Sequence, residues 1–140
     1  MTGLAPSTAQ LPARPRIYSG GTPVAEFGNV LEADGLHVAL GWLNERTRFR
    51  FTGAFSDETG AQAIIQLFDR ENPSVVYHGA TDLPGRYSYC GTTLLDTNGV
   101  RVGTLSHYDH RPRIASDECR RLLRDVAPLV AAHWLLLLRR

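Results

Sequence analysis

The 140-residue chain has no lysine, one methionine and two cysteines, Cys90 and Cys119. Two cysteines cannot form the disulfide framework of a small secreted domain, so we expect two reduced thiols in a cytoplasmic protein. All fifteen basic residues are arginines, and fourteen acidic residues leave a net charge of +1. This balance gives no electrostatic basis for binding nucleic acid, which normally requires a clear basic surplus.

The sequence also lacks a long hydrophobic run. Its most apolar stretch, Leu129–Leu138, covers about half the length that a bilayer-spanning helix needs, so membrane association is not expected. The N-terminus has neither a basic start nor an apolar core and therefore does not look like a signal peptide. Residues 1–19 are interpreted as a flexible N-terminal segment and residues 20–140 as a single domain.

Hydrophobic spacing predicts a helix near each end of that domain. Leu36, Leu40 and Leu43 recur at helical spacing and place a helix over residues 29–46. A second helix is predicted over residues 116–133, because Ser116 is a favourable N-cap and acidic residues follow it in the first turn. Pro128 lies inside this helix and is expected to kink or break it.

Alternating patterns between the two helices predict four strands, near residues 48–55, 61–69, 87–95 and 100–108. They form two hairpins, and Asn98-Gly99 supplies the turn of the second because both residues tolerate a positive φ. The intervening segment is irregular, with a short strand near residues 75–78. Two hairpins cannot bury a sheet by themselves, so the helices should cover one face and give an α+β fold.

Two stretches of sequence then point to a family. ALGWLNERTRFRFTGAF (39–55) and YSYCGTTLLDTNGVRVGTLSHYDHRPR (87–113) resemble the first helix and strand and the central hairpin of bacterial GAF domains. The resemblance implies a GAF/PAS-like central antiparallel β-sheet with N- and C-terminal helices packed on one face and any ligand pocket on the other. Only sixteen residues, Glu71–Arg86, separate the hairpins, whereas many GAF relatives have helices and loops there that cover the pocket. We therefore expect little cover over the pocket and no ligand as large as a tetrapyrrole or a cyclic nucleotide.

The candidate ligand-binding residues are aromatic side chains suited to a mostly apolar pocket: Phe68, Tyr77, Tyr87, Tyr89 and Tyr108. The alternative is that these side chains fill the space themselves, since small domains leave few voids. No cofactor is predicted.

Catalytic and metal sites are not predicted. Cys90 has no cation or helix N-terminus beside it in the sequence, so we interpret it as a structural thiol. Many GAF relatives carry a cysteine where this chain has Ser106, so Cys90 has no redox partner at that position. His107, Asp109 and His110 include two residues on one strand face but lack a third firm metal ligand. Instead, His107 should pack in the sheet and Asp109 should pair with Arg111 or Arg113.

The C-terminal residues Leu135–Leu138 would be apolar on every side of a helix. Exposed apolar surface of this kind predicts a homodimer through the C-terminal helix, with help from Trp42. We therefore expect a stand-alone GAF-like sensory or regulatory module of bacterial signal transduction, binding a small molecule or a protein partner without catalysis. The alternatives are an enzyme like the free methionine-(R)-sulfoxide reductases of the GAF family and a ligand-free structural dimerisation module.

Overall fold

The computed structural model describes residues 21–57, 63–75, 77–80 and 88–138, with only the backbone described for 77–80. Within these residues the chain forms three helices and five strands. In order they are α1 (Pro23–Asp34), α2 (Leu36–Asn44), β1 (Phe51–Ser56), β2 (Ala63–Asp69), β3 (Tyr77–Ala80), β4 (Ser88–Leu95), β5 (Arg101–Asp109) and α3 (Asp117–Leu138). The flexible segment predicted for residues 1–19 lies outside the described residues.

The single helix predicted over residues 29–46 is wrong in both its start and its continuity. Helix formation begins at Pro23, where the Ala25 N–H donates to the Thr22 side chain over 3.1 Å and proline occupies the first turn. The helix then divides at Gly35, whose φ of 90° ends α1 and begins α2. The helical spacing of the leucines continues across this break, so the pattern gives no sign of it. Glycine adopts the positive φ of the break at low energetic cost.

The sheet is antiparallel, with the strand order β3-β2-β1-β5-β4. Both predicted hairpins are present, and Gly99 has the positive φ, 78°, that its turn requires. The strand at 51–56 begins three residues later than the prediction. The Arg50 N–H donates to the Asp109 carboxylate over 2.9 Å, so a side chain takes the place of a ladder partner there.

Helix α3 begins as predicted, because the Cys119 N–H donates to the Ser116 hydroxyl over 3.0 Å. It continues through the exposed Pro128 to Leu138, so the proline does not end it. The buried side chains of Val126, Val130 and Trp134 on either side hold the helix against the core. None of the helices in the described part of the chain is long and apolar enough to cross a membrane.

Two buried clusters occupy the two faces of the sheet. The larger one combines side chains from all three helices with sheet residues such as Ala54, Cys90, Leu94 and Leu105. The smaller one contains only strand residues, and they point to the opposite face: Phe51, Phe55, Ile64, Leu67 and Tyr108. The chain is therefore α+β, and its described helices gather on one face of the sheet.

Candidate functional site

Cys90 and His107 are direct neighbours across β4 and β5, on the face that the helices cover. Opposed residues of an antiparallel pair hold their Cβ atoms about 4.5–5.5 Å apart, so the two side chains are in reach of one another. His107 is almost fully buried, and its ring stacks on Phe49 with 5.8 Å between centroids. As predicted, this histidine packs in the sheet.

Cys119 approaches the same place from above, on the first turn of α3. Its sulfur lies 3.7 Å from Thr47 Oγ1, and its thiol is close enough to Cys90 and His107 for both to influence its pKa. The positive end of a helix dipole favours a thiolate at this position. Both cysteines are free thiols, so the fold brings together a reduced thiol pair and an imidazole.

A buried hydrogen-bond network fixes the imidazole from behind. His107 Nδ1 lies 2.7 Å from Thr52 Oγ1, and the Asn44 amide donates to that same oxygen over 2.9 Å. Asn44 is held in turn by the Arg70 guanidinium, whose Nε donates to the side-chain oxygen Oδ1 of Asn44 over 2.9 Å. Because a hydroxyl both donates and accepts, Thr52 can serve His107 whichever ring nitrogen carries the proton.

The two thiols have opposite electrostatic environments. The hydrogen bond from the Cys90 thiol lowers the pKa of Cys119, and the contacts with His107 and Thr47 lower it further, against the effect of burial. The pKa of Cys90 is raised by this same hydrogen bond and by burial. A thiolate is the reactive form of cysteine, and this environment favours it on Cys119 over Cys90.

Cys119 also faces solvent-accessible space. A cleft of about 730 Å³ opens between the N-terminal ends of α1 and α3. Its described lining includes charged, polar and apolar side chains: Thr22, Pro23, Val24, Arg46, Ser116, Glu118, Cys119, Arg121, Leu122 and Asp125. A second cleft of about 410 Å³ shares Arg46, Ser116 and Cys119 with the first. Both clefts thus have Cys119 in their lining.

Arg46 is held in place at the rim shared by both clefts. Its guanidinium lies 3.4 Å from the centroid of the Trp42 ring and donates to the Trp42 carbonyl oxygen over 2.6 Å. Trp42 itself packs edge-on against Phe27, with 5.8 Å between centroids. Trp42 thus positions a cation within the chain, and the part in a dimer interface predicted for it stays a prediction.

Of the aromatic residues predicted to line a pocket, the three whose side chains the structure describes are not brought to one place. Phe68 packs with the helices, close to Gly41 and 5.7 Å from the His37 ring. Tyr108 lies on the opposite face and is fully buried, with its ring stacked on Phe51 at 4.6 Å. Tyr89 pairs with Tyr108 across the strands but is about half exposed.

The remaining two predicted pocket residues give no test. Tyr77 belongs to β3, where only the backbone is described, and Tyr87 lies outside the described residues.

On the helix-free face of the sheet, the described apolar side chains pack against one another in the smaller buried cluster. On the same face, the Ser106 hydroxyl is buried with no hydrogen-bond partner in the described part of the chain. Two glycines, Gly53 and Gly91, lie opposite it on the neighbouring strands.

His107, Asp109 and His110 do not form a metal site, because each makes different contacts. Asp109 accepts hydrogen bonds from the backbone of Arg50 and Arg111 and from the Arg113 side chain, so the predicted pairing with the arginines is confirmed. His110 stands edge-on to Phe51, away from His107. Within the described residues, no group of three or more His, Cys, Asp or Glu side chains is arranged to hold a metal ion.

Comparison with family models, with curated proteins and with solved structures found no match for this sequence. The evidence for function is therefore the arrangement of side chains in the structure. Sequence reasoning considered Cys90 alone and missed Cys119. One local signal was available: Cys119 follows the Ser116 cap by three residues, and this places a thiol on the first turn of a predicted helix.

Proposed function

We propose that this protein is a sensory or regulatory domain that binds a small, anionic or zwitterionic molecule in the cleft between α1 and α3. The observation that carries the proposal is the cleft itself. Its volume of about 730 Å³ falls within the range of small-molecule sites, about 300–1,000 Å³. Its lining pairs apolar side chains, Val24 and Leu122, with charged ones of both signs, so it suits a ligand with an apolar body and a charged end.

The electrostatics of the cleft favour a carboxylate. Thr22 caps α1 and Ser116 caps α3, so two positive helix ends meet the same space. Arg46, which packs on Trp42, also lines the cleft, and an arginine is well suited to binding a carboxylate. Glu118 and Asp125 also line the cleft and provide acceptors for the amino group of a zwitterion.

The proposal retains a GAF-like fold, and its support is the α+β arrangement with an antiparallel sheet and helices gathered on one face. The ligand position differs from what the resemblance implies. A GAF-type pocket belongs on the helix-free face, whereas the cleft opens on the helix side. Signalling through a homodimer completes the proposal, and its support is the exposed apolar tail of α3, where Leu136, Leu137 and Leu138 are each about half exposed.

Two neighbouring arginines on α3 provide a test with a matched control. Arg121 lines the cleft, whereas Arg120 is not part of its described lining and pairs with Asp117 over 3.5 Å. Native mass spectrometry of protein purified from its own host should reveal a bound small molecule. Free amino acids and other small carboxylates should then be screened by thermal shift against the wild type, Arg121→Gln and Arg120→Gln.

The proposal expects at least one compound that stabilises the wild type and Arg120→Gln but loses most of its effect on Arg121→Gln. It is overturned if no host-derived molecule is bound and no compound in the screen shifts the melting temperature. It is also overturned if Arg120→Gln and Arg121→Gln lose binding equally.

The adjacent thiols Cys90 and Cys119 favour one second candidate, a reductase of free methionine sulfoxide. Reductases of this type need a nucleophilic thiol and a second thiol that resolves the oxidised form. Incubation of the wild type with free methionine sulfoxide and a dithiol tests it directly. Methionine released over many turnovers would establish the enzyme, whereas release of less than one equivalent would leave the sensory proposal in place.

A further inference from the structure

The thiol pair occupies a position that a purely structural role does not require. Cys90 and Cys119 come from a strand and a helix, and each meets the other together with His107. Both sulfurs lie in the core cluster between sheet and helices, yet only Cys119 lines the two clefts. Of the two cysteines, Cys119 is therefore the one that a small reagent entering either cleft meets, with Cys90 in the same buried cluster.

We propose that Cys119 and Cys90 are a redox-active dithiol that reacts with a hydroperoxide and closes to an intramolecular disulfide. In this assignment Cys119 is the attacking thiol and Cys90 the resolving thiol. His107 is the positioning residue that keeps a hydrogen-bonding nitrogen on the attacking sulfur. The proposal does not depend on the ligand of the cleft, because it rests on the contacts among these three side chains.

The chemistry proceeds in two balanced steps. The Cys119 thiolate attacks one oxygen of the hydroperoxide and the O–O bond breaks. This leaves a sulfenic acid on Cys119, while the departing alkoxide or hydroxide takes up the proton that the thiol released. Cys90 then attacks the Cys119 sulfur, an S–S bond forms, and the sulfenic oxygen leaves as water. Two thiols thus supply the two electrons that reduce one hydroperoxide, and an external dithiol returns the pair to its reduced form.

The hydrogen-bond network behind His107 gives this arrangement its geometry. Thr52 fixes the orientation of the His107 ring through Nδ1, Asn44 holds Thr52, and the ring stacks on Phe49. The second ring nitrogen is left for the neighbouring Cys119 thiol, whose pKa this histidine lowers. Thr47 provides a hydroxyl 3.7 Å from the same sulfur. Cys90, His107 and Thr47 therefore favour the thiolate form of Cys119, together with the first turn of α3.

Oxidation would join α3 to β4 across the core. The disulfide replaces a non-covalent contact between the helix that carries the exposed leucines and an edge strand of the described sheet. The redox state of the pair would thus fix the position of α3 relative to the sheet. A hydroperoxide signal could reach a partner through this helix.

The experiment is simple because the chain has only two cysteines. The reduced, folded protein is treated with one to a few equivalents of hydrogen peroxide. Free thiols are then counted, the intact mass is measured, and peptides are mapped without reduction. We expect the loss of both thiols, a mass decrease of two hydrogens and a Cys90–Cys119 peptide pair in a monomeric chain. Cys119 should react at least about tenfold faster in the folded protein than in guanidinium chloride, where its thiolate has lost its donors.

Two variants separate the roles. Cys90→Ser should stop at the sulfenic acid, which dimedone traps on Cys119, and Cys119→Ser should give neither adduct nor disulfide. Circular dichroism checks that both variants fold, and if either does not, the wild-type measurements decide alone. The proposal is overturned if the folded wild type keeps two free thiols, or if the disulfide forms only between chains. Dimedone labelling of Cys90 in Cys119→Ser as fast as that of Cys119 in Cys90→Ser also overturns it.

Discussion

Thr52 Oγ1 lies 2.7 Å from His107 Nδ1, between two neighbouring strands and under the helices. Thr52 is completely buried, and its oxygen also accepts from the Asn44 amide. One hydroxyl thus connects Asn44, the last residue of α2, to the imidazole beside the two thiols. This contact sets the orientation of the ring and makes the site sensitive to a change that removes a single oxygen atom.

Thr52→Val is expected to lower the free energy of unfolding by about 1–3 kcal/mol, because it leaves the buried His107 nitrogen without a partner at nearly constant volume. It should also slow the alkylation of Cys119 by iodoacetamide. Urea denaturation and mass-resolved alkylation measure the two effects. The control is Thr93→Val on the exposed side of β4, which should change stability by less than about 0.5 kcal/mol. Equal losses in both variants would contradict the role assigned to Thr52.

The pair Arg50–Asp69 should make folding sensitive to acid. Burial alone would raise the pKa of Asp69, but hydrogen bonds from Arg50, the Glu71 N–H and Asn72 hold the pKa below its ordinary value of 3.8. A lowered pKa in the folded state gives stability that is fully present above about pH 4 and is lost as the pH falls through the folded-state value. Urea midpoints between pH 7 and pH 2.5 should show this loss.

Asp69→Asn tests the same carboxylate at neutral pH. Arg50 Nε and Nη2 donate to the two Asp69 oxygens over 2.8 and 2.9 Å, and Asp69 is almost fully buried. Losing this charged pairing should cost about 1.5–3 kcal/mol at pH 7 and flatten the acid limb of the pH profile. Asp57→Asn removes the exposed pair with Arg101 and should cost about 0–1 kcal/mol. An unchanged acid limb in Asp69→Asn would refute this explanation.

Two strand glycines should respond differently to alanine. A Cβ on Gly103 would collide with the backbone carbonyl oxygen of Phe55, which cannot move without opening the β1–β5 ladder. Gly103→Ala is therefore expected to cost about 3 kcal/mol or more, or to prevent folding. A Cβ on Gly91 would meet only the ring of the half-exposed Tyr89, which can swing away. Thermal melts of the two variants compare them, and a well-folded Gly103→Ala would show the register to be wrong.

Dimerisation through α3 is tested best by substitution. Truncation at Pro128 would remove the buried Val130, Ala131 and Trp134 and would damage the core itself. Leu136, Leu137 and Leu138 are exposed, so changing all three to Gln should leave the fold intact while weakening self-association at least about tenfold. Analytical ultracentrifugation measures both proteins. A monomeric wild type, or a variant that still dimerises fully, would end the dimer proposal.

If the dithiol closes as proposed, oxidation should also stabilise the fold. The Cys90–Cys119 crosslink encloses a loop of about 30 residues, for which loop-closure entropy predicts about 3–4 kcal/mol. The oxidised wild type should therefore unfold at higher urea than the reduced form. Cys90→Ser treated in the same way should show no such gain. A reduced form that is the more stable of the two would mean that the bond strains the folded chain.

The sequence determined the features that depend on neighbours along the chain. Period-two alternation located both hairpins, Asn98-Gly99 located a turn, and Ser116 located the start of α3, because each signal lies within a few residues of the structure it specifies. The same reasoning misplaced the first helix. Gly35 interrupts an apolar spacing that continues through the break, and spacing alone carries no information about φ.

The tertiary structure decided which of these elements face one another. Periodicity assigns Cys90 and His107 to one face of a hairpin and Cys119 to one turn of a helix, but it does not state that this turn lies over that hairpin. The choice depends on how the apolar sides of α1, α2 and α3 fill the space above the sheet. Cys119 thus meets Cys90 and His107 through packing between residues distant in sequence, and the physical basis of the candidate site appears only when the chain is folded.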